Sequence, residues 1–141
     1  MAGGALNLGM KKIEVVAAII YFNDEIFCVQ RPTNKRSYIS EKFEFPGGKI
    51  EKGESKEEAL KRELIEELNF IPTKIDDLFL TVVHEYPDFE LTMHSFKCYS
   101  ETKNIQLNEH TSYKWLTLKN LIKLDWAAAD IPIVNRLIKN E

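Results

Sequence analysis

The stretch GGKIEKGESKEEALKRELIEELNF, from Gly47 to Phe70, constrains the fold more than any other part of the chain. Ser55-Lys56-Glu57-Glu58 is a capping box: the Ser55 oxygen and the Glu58 carboxylate satisfy each other's orphan backbone donors at a helix start. Leu60, Leu64 and Leu68 recur on one stripe of that helix, so one face must be buried. Asn69 tolerates left-handed backbone and Pro72 follows, which predicts that the helix ends at Leu68. Beside the leucine stripe, Glu63, Glu66 and Glu67 share an arc of about 100°, with only Ala59 between them. Glu63 repels Glu67 at i,i+4 and Glu66 at i,i+3, whereas Glu57–Lys61 and Glu58–Arg62 are ordinary favourable pairs on a solvated face. The trio reads either as an acidic surface patch or as carboxylates gathered around positive charge. Pro46-Gly47-Gly48 favours the second reading, because it brings bare backbone, the Gly47 carbonyl included, close to whatever the carboxylates hold. Oxygen donors alone suit a hard cation, Mg²⁺ or Mn²⁺, that bridges to phosphate. No His or Cys joins the cluster, so zinc does not fit.

The rest of the chain reads as strands with single helices. Ile13 to Phe22 is apolar on both parities, as expected of a strand buried on both faces. Asn23-Asp24 turns the chain into a second strand, Glu25 to Arg31. Pro32 to Lys42 is a loop, Phe43 to Phe45 a short extended piece, and Pro46-Gly47-Gly48 a chain reversal. Leu78–His84 and Leu91–Tyr99 are strands around a Pro87-Asp88 turn, and Ser112–Leu116 is a shorter one. Leu118 to Leu124 is expected to be a short helix and Ile131 to Lys139 an amphipathic one. This order predicts an α+β domain, a mixed sheet between helices in an α/β/α arrangement, and not a doubly wound sheet.

At 141 residues there is room for one ordinary domain. Residues 1–9 (MAGGALNLG) read as a vector-derived leader, since MKKIEVVAAII from Met10 resembles a natural start; the domain is then 10–141. Cys28 and Cys98 lie far apart in strand-like runs and read as buried thiols in a reducing compartment, hence a cytoplasmic protein. The longest apolar run is too short to span a bilayer as a helix. A net charge of −3 argues against a nucleic-acid polymer as ligand, but not against a single nucleotide. Monomer and homodimer both remain open.

The glutamate helix and its upstream loop are similar to the signature of the Nudix hydrolases. The residues that carry the resemblance are Gly48, Glu54, Arg62, Glu63, Leu64, Glu66, Glu67, Asn69 and Phe70. Only Asn69 departs from the pattern, where glycine is usual, and this touches helix termination rather than chemistry. GluPheProGlyGlyLysIle at 44–50 and the Glu-x5-Trp of Glu109–Trp115 resemble the MutT-type subgroup. IleGluValValAlaAlaIleIle at 13–20 and AlaAspIleProIle at 129–133 resemble the bacterial CTP pyrophosphohydrolases within it.

The resemblance implies a Nudix fold and water attack on a nucleoside triphosphate, giving a monophosphate and pyrophosphate. It implies CTP, dCTP, modified pyrimidine nucleotides or 8-oxo-dGTP as substrates. Glu63, Glu66 and Glu67 would hold divalent ions with the Gly47 carbonyl, and one of them or Glu109 would take the proton. Arg62 would orient the carboxylates and Glu54 would support it. Lys49 and Arg31 are candidate phosphate or substrate contacts, each with a surface lysine or salt bridge as its alternative. Asp130 stands where a base-reading side chain is expected, or it caps the last helix ahead of Pro132. Phe45 and Tyr86 could stack on a base or belong to the core. His84, His94 and His110 have no ligand spacing and receive no role, and Trp115 and Trp126 read as core. Two further readings are a dinucleoside polyphosphate hydrolase, suggested by Tyr86, and a non-catalytic binding module, which the intact glutamates disfavour.

Overall fold

The computed structural model describes residues 10–110 and 112–140; the leader reading for residues 1–9 falls outside the described residues. Seven strands form one mixed sheet: β1 (Lys11–Phe22), β2 (Glu25–Gln30), β3 (Phe43–Glu44), β4 (Gly47–Lys49), β5 (Lys74–Glu85), β6 (Phe89–Tyr99) and β7 (Ser112–Thr117). Its main path runs β3-β2-β1-β6-β5, with β4 added to β1 and β7 to β2. β1 and β6 pair in parallel from Lys11↔Phe89 to Tyr21↔Tyr99, while the other pairings are antiparallel.

Alternation along β1 explains the layers. Val16, Ala18 and Ile20 face one side, where they meet Leu60, Leu64 and Leu68 of helix α1 (Lys56–Leu68). Ala17 and Ile19 face the other, packing with Leu121, Ile133 and Leu137; the last two belong to helix α2 (Ile131–Lys139). Both parities are therefore buried, as the unbroken apolar run demands. Cys28 and Cys98 are buried free thiols, one in each core layer. No helix of the described residues is long and apolar enough to cross a membrane.

α1 is built as its sequence specifies. The Glu58 N–H donates to Ser55 Oγ, the Ser55 N–H donates to Glu58 Oε1, and Asn69 takes a left-handed φ of 49° at the far end. Three expectations need correction. Pro46-Gly47-Gly48 is not only a chain reversal: Gly47 to Lys49 form β4 on β1, with Ala17 opposite Gly47 and Val16 opposite Gly48. Glycine carries no side-chain pattern that could announce a strand, so the pairing is set by β1. Leu118 to Lys123 winds as a 3₁₀ helix, followed by a second 3₁₀ turn at Ala128–Asp130. Asp130 occupies the N-cap position of α2 but makes no capping bond; its Oδ1 instead accepts the Phe45 N–H at 3.0 Å.

Candidate active site

A cleft of about 570 Å³ lies against the α2 side of the sheet. Ile13 and Val15 of β1, Leu91 and Met93 of β6, Phe45 and Tyr86 give it apolar lining; Arg31, Arg36, Glu44, Lys49, Glu67, Glu109, His110 and Asp130 give it charge and polarity. An apolar surface beside convergent charges suits a flat base attached to phosphates.

The glutamate trio is divided between two sets of neighbours. Glu67 lines the cleft, is 8% exposed, and has an Oε2 that is buried without a hydrogen-bond partner. Burial pushes its carboxyl up to about 9, with the Glu109, Glu63 and Glu44 carboxylates adding to the effect. Glu63 and Glu66 are gathered by Arg62 instead. The guanidinium donates to both oxygens of Glu54 (Nε at 2.6 Å, Nη2 at 2.9 Å), to Glu63 Oε2 at 2.8 Å, to Glu66 Oε1 at 3.1 Å and to the Lys49 carbonyl at 2.9 Å. Arg62 thus ties β4, the loop before α1 and α1 itself into one rigid unit, a task suited to its planar fork. Glu54 is held down to about 2 by this bonding and also accepts the Glu51 N–H. The Glu63 carboxyl is raised, mainly by burial, against the opposing pull of Arg62.

The two glycines of β4 have separate reasons. A Cβ on Gly47 would come 1.9 Å from the Val16 carbonyl oxygen, so close pairing with β1 requires glycine there. A Cβ on Gly48 would come 2.2 Å from Glu63 Cδ, so that glycine makes room for a carboxylate. Gly47→Ala is therefore expected to lower unfolding free energy by about 1–3 kcal/mol through backbone displacement. Gly48→Ala is expected to spare most of that stability, because a side chain can move, while displacing Glu63 and lowering turnover. Denaturant titration alongside kcat checks the contrast.

The donor set fits a hard cation in type: Glu67 with its unpartnered oxygen, Glu109, and Glu63, close enough to Glu109 for the two charges to interact. Among the described residues no compact cluster of three or more metal-ligating side chains stands ready; Glu66, with its side chain 52% exposed, is turned toward Arg62.

Lys49 is exposed and lines the cleft. Arg31 lines it too, and its Nη1 pairs with Glu44 Oε2 at 3.4 Å. Phe45 and Tyr86 are both buried and both part of the lining: Phe45 stacks on Trp126 at 4.7 Å, and the Tyr86 hydroxyl accepts the Ala129 N–H at 3.1 Å. Asp130 is 4% exposed, and burial, reinforced by Glu44, pushes its carboxyl well above the usual range. Trp126 is core; Trp115 is half-buried, packing on Phe27 at 4.9 Å.

Sequence reasoning missed Glu44 and His110. His110 Nε2 lies 2.9 Å from Glu44 Oε2, and the same oxygen serves Arg31, so three residues distant in sequence meet in the cleft. Glu44 opens the GluPheProGlyGlyLysIle stretch, but no local pattern links it to His110. His84 packs on Tyr86, and His94 pairs with Glu14 and Thr81, both outside the cleft lining.

Residues 11–137 match the NUDIX domain family, and the chain belongs to it. It is a Nudix hydrolase of the pyrophosphohydrolase kind, with MutT-like relatives. The chain is 33% identical to the 8-oxo-dGTP diphosphatase of Escherichia coli K12 over 129 residues, covering 91% of this chain and 98% of that protein. It is 34% identical to the CTP pyrophosphohydrolase of the same organism over 125 residues, covering 89% and 90%. The crystal structure of the MutT protein from Methanosarcina mazei Go1 superposes with a TM-score of 0.83 at 25% identity, covering 94% and 97%. Nudix hydrolases generally use divalent metal ions and bind small nucleotide substrates.

Proposed function

We propose that this chain hydrolyses nucleoside triphosphates to monophosphate and pyrophosphate with Mg²⁺ (Mn²⁺ in its place), acting on CTP or dCTP, modified pyrimidine nucleotides and 8-oxo-dGTP. The observation that carries the reading is Glu67: a buried carboxyl with an unpartnered oxygen, facing Glu109 in a cleft with an apolar lining. Burying such a group is costly unless a cation completes it. A bound divalent ion supplies charge neutralisation of the polyphosphate and acidification of water.

Glu67, Glu63 and Glu109 would hold that ion with the Gly47 carbonyl, and Glu66 would join them on leaving Arg62. Arg62 and Glu54 would keep the carboxylates in place. Lys49 and Arg31 would meet phosphate oxygens. The proton of the attacking water goes to one of the cleft carboxylates, Glu67 or Glu109.

Asp130 supports a base-reading role. Burial pushes its carboxyl well above the usual range, and in the neutral form it would offer an O–H donor beside an acceptor. That pattern complements the amine and ring nitrogen of cytosine, and the extra N–H and carbonyl of 8-oxoguanine. The N7/O6 edge of unmodified guanine, with two adjacent acceptors, fits it less well. Phe45 and Tyr86 would form the apolar wall behind the base. Tyr86 is fully engaged by Ala129 and its aromatic neighbours, which gives no support to a dinucleoside polyphosphate reading.

In this reading residues 10–141 work as one domain, as monomer or homodimer, without a nucleic-acid or membrane partner. The free buried thiols suit a cytoplasmic setting.

Steady-state kinetics on CTP, dCTP, dGTP, 8-oxo-dGTP and a dinucleoside tetraphosphate test the assignment. CTP or 8-oxo-dGTP is expected to lead in kcat/KM. Asp130→Ala is expected to erase about 10–100-fold of that preference, the worth of one base contact, and Asp130→Asn, which keeps a donor and an acceptor, to retain most of it. An unchanged substrate ranking in Asp130→Ala would remove Asp130 from the base site.

A further inference from the structure

α1 ends with no basic side chain in its last turn. Its final carbonyls are met by the loop that follows β6. The Asn108 N–H donates to the Glu67 carbonyl at 3.0 Å, Asn108 Nδ2 donates to the Glu66 carbonyl at 2.6 Å, and the Gln106 N–H reaches the Leu68 carbonyl at 3.2 Å. Two residues beyond Asn108, the His110 ring is buried, its side chain 5% exposed, with Nε2 2.9 Å from Glu44 Oε2. Glu109 sits between these two attachments.

We propose that Asn108 and His110 form a two-point mount that sets Glu109 against Glu67, making both of them positioning residues for the hydrolysis. The inference rests on the reading of Glu67 and Glu109 as cation-holding carboxylates.

The physical need for a mount is plain. From Ser100 to His110 the loop has neither helix nor strand, and an untethered backbone keeps conformational freedom that blurs the position of its side chains. Cation binding requires Glu67 to ionise, and its carboxylate then faces the Glu109 charge, which acts on Glu63 as well. Without attachments on both sides, the loop would relax by swinging Glu109 away. Asn108 fixes the near side to the helix end that carries Glu67 itself. His110 fixes the far side to Glu44 of β3, on the sheet. The separation between Glu109 and Glu67 is therefore set by α1 and the sheet. Neither Asn108 nor His110 needs to touch substrate for this.

A double-mutant cycle tests the mount with two readouts: Mn²⁺ binding to the nucleotide-free protein by electron paramagnetic resonance, and kcat with KM on the best nucleotide. His110→Ala is expected to weaken Mn²⁺ binding and lower kcat by about 10–100-fold, the usual range for partners that orient metal ligands, with KM little changed. Asn108→Ala, which keeps the backbone bond, is expected to show the same pattern more weakly and guards against misfolding of the histidine variant. His110→Gln, which keeps a donor to Glu44, is expected to recover most of the loss. In a Glu109→Gln background, His110→Ala is expected to change neither readout further.

Losses that multiply in the double variant would overturn the mount, as would single variants that lower only the melting temperature. If Glu109→Gln alone leaves Mn²⁺ binding and kcat at wild-type values, the cation-holding reading of Glu109 falls, and the mount falls with it.

Discussion

Glu67→Gln is expected to lower kcat by about 10³-fold or more, equivalent to about 4 kcal/mol of transition-state stabilisation, while raising the melting temperature of the metal-free protein. The two effects have one cause. In the folded chain the Glu67 carboxyl is pushed up to about 9, above the ordinary 4.5, by burial and by its acidic neighbours. Between those values the folded state holds a proton that the unfolded state has released. Stability contributed by this group therefore falls as pH rises across the window from 4.5 toward 9. The slope is at most about 1.4 kcal/mol per pH unit for one proton. Glutamine carries no such proton, so the variant loses that slope and gains most over wild type near the alkaline end. Thermal unfolding in chelator at several pH values, beside turnover with metal, measures both arms. A variant that loses activity and stability together would mean Glu67 serves packing rather than cation binding.

Arg62→Lys carries the second large effect. Lysine preserves charge but cannot bond both oxygens of Glu54 while also reaching Glu63, Glu66 and the Lys49 carbonyl. Turnover is expected to fall by about 100-fold as Glu63 loses its support, and the melting temperature by about 5–10 °C as partly buried carboxylates lose a partner. The pH profile should change as well. Glu54, held down to about 2, contributes stability that is present above 4.5 and lost as pH falls toward 2. Arg62→Lys should blunt that acid limb. Unfolding curves at pH 3 to 7 read it directly, and an unaltered acid limb would show that Arg62 is not what holds Glu54 down.

Where structure is set by neighbours in sequence, the chain was legible. The capping box, the leucine stripe and the left-handed Asn69 fix α1 from within 15 positions, and β1 announces two buried faces by its composition. What escaped is set by distance. β4 exists because β1 offers a partner, and the Asp130 carboxyl accepts the Phe45 N–H instead of capping its helix. The division of the trio follows the same logic. An ideal helix puts Glu63, Glu66 and Glu67 on one arc, but Arg62 draws the first two while Glu67 turns into the cleft. Glu44 and His110 are 66 positions apart and join only once β2 and its neighbours have assembled. The family motif thus pointed to a helix that lines the cleft through Glu67, while the loops and strands around that cleft became readable only in three dimensions.

Metal-dependent pyrophosphohydrolysis at Glu67 is tested by quantitative product analysis of CTP and 8-oxo-dGTP incubated with the purified protein and with Glu67→Gln, each with Mg²⁺ and with chelator. Nucleoside monophosphate and pyrophosphate are expected in equal amounts, only with Mg²⁺ and only from the wild type at comparable enzyme. Diphosphate with free phosphate, turnover that survives the chelator, or full activity in Glu67→Gln would contradict it.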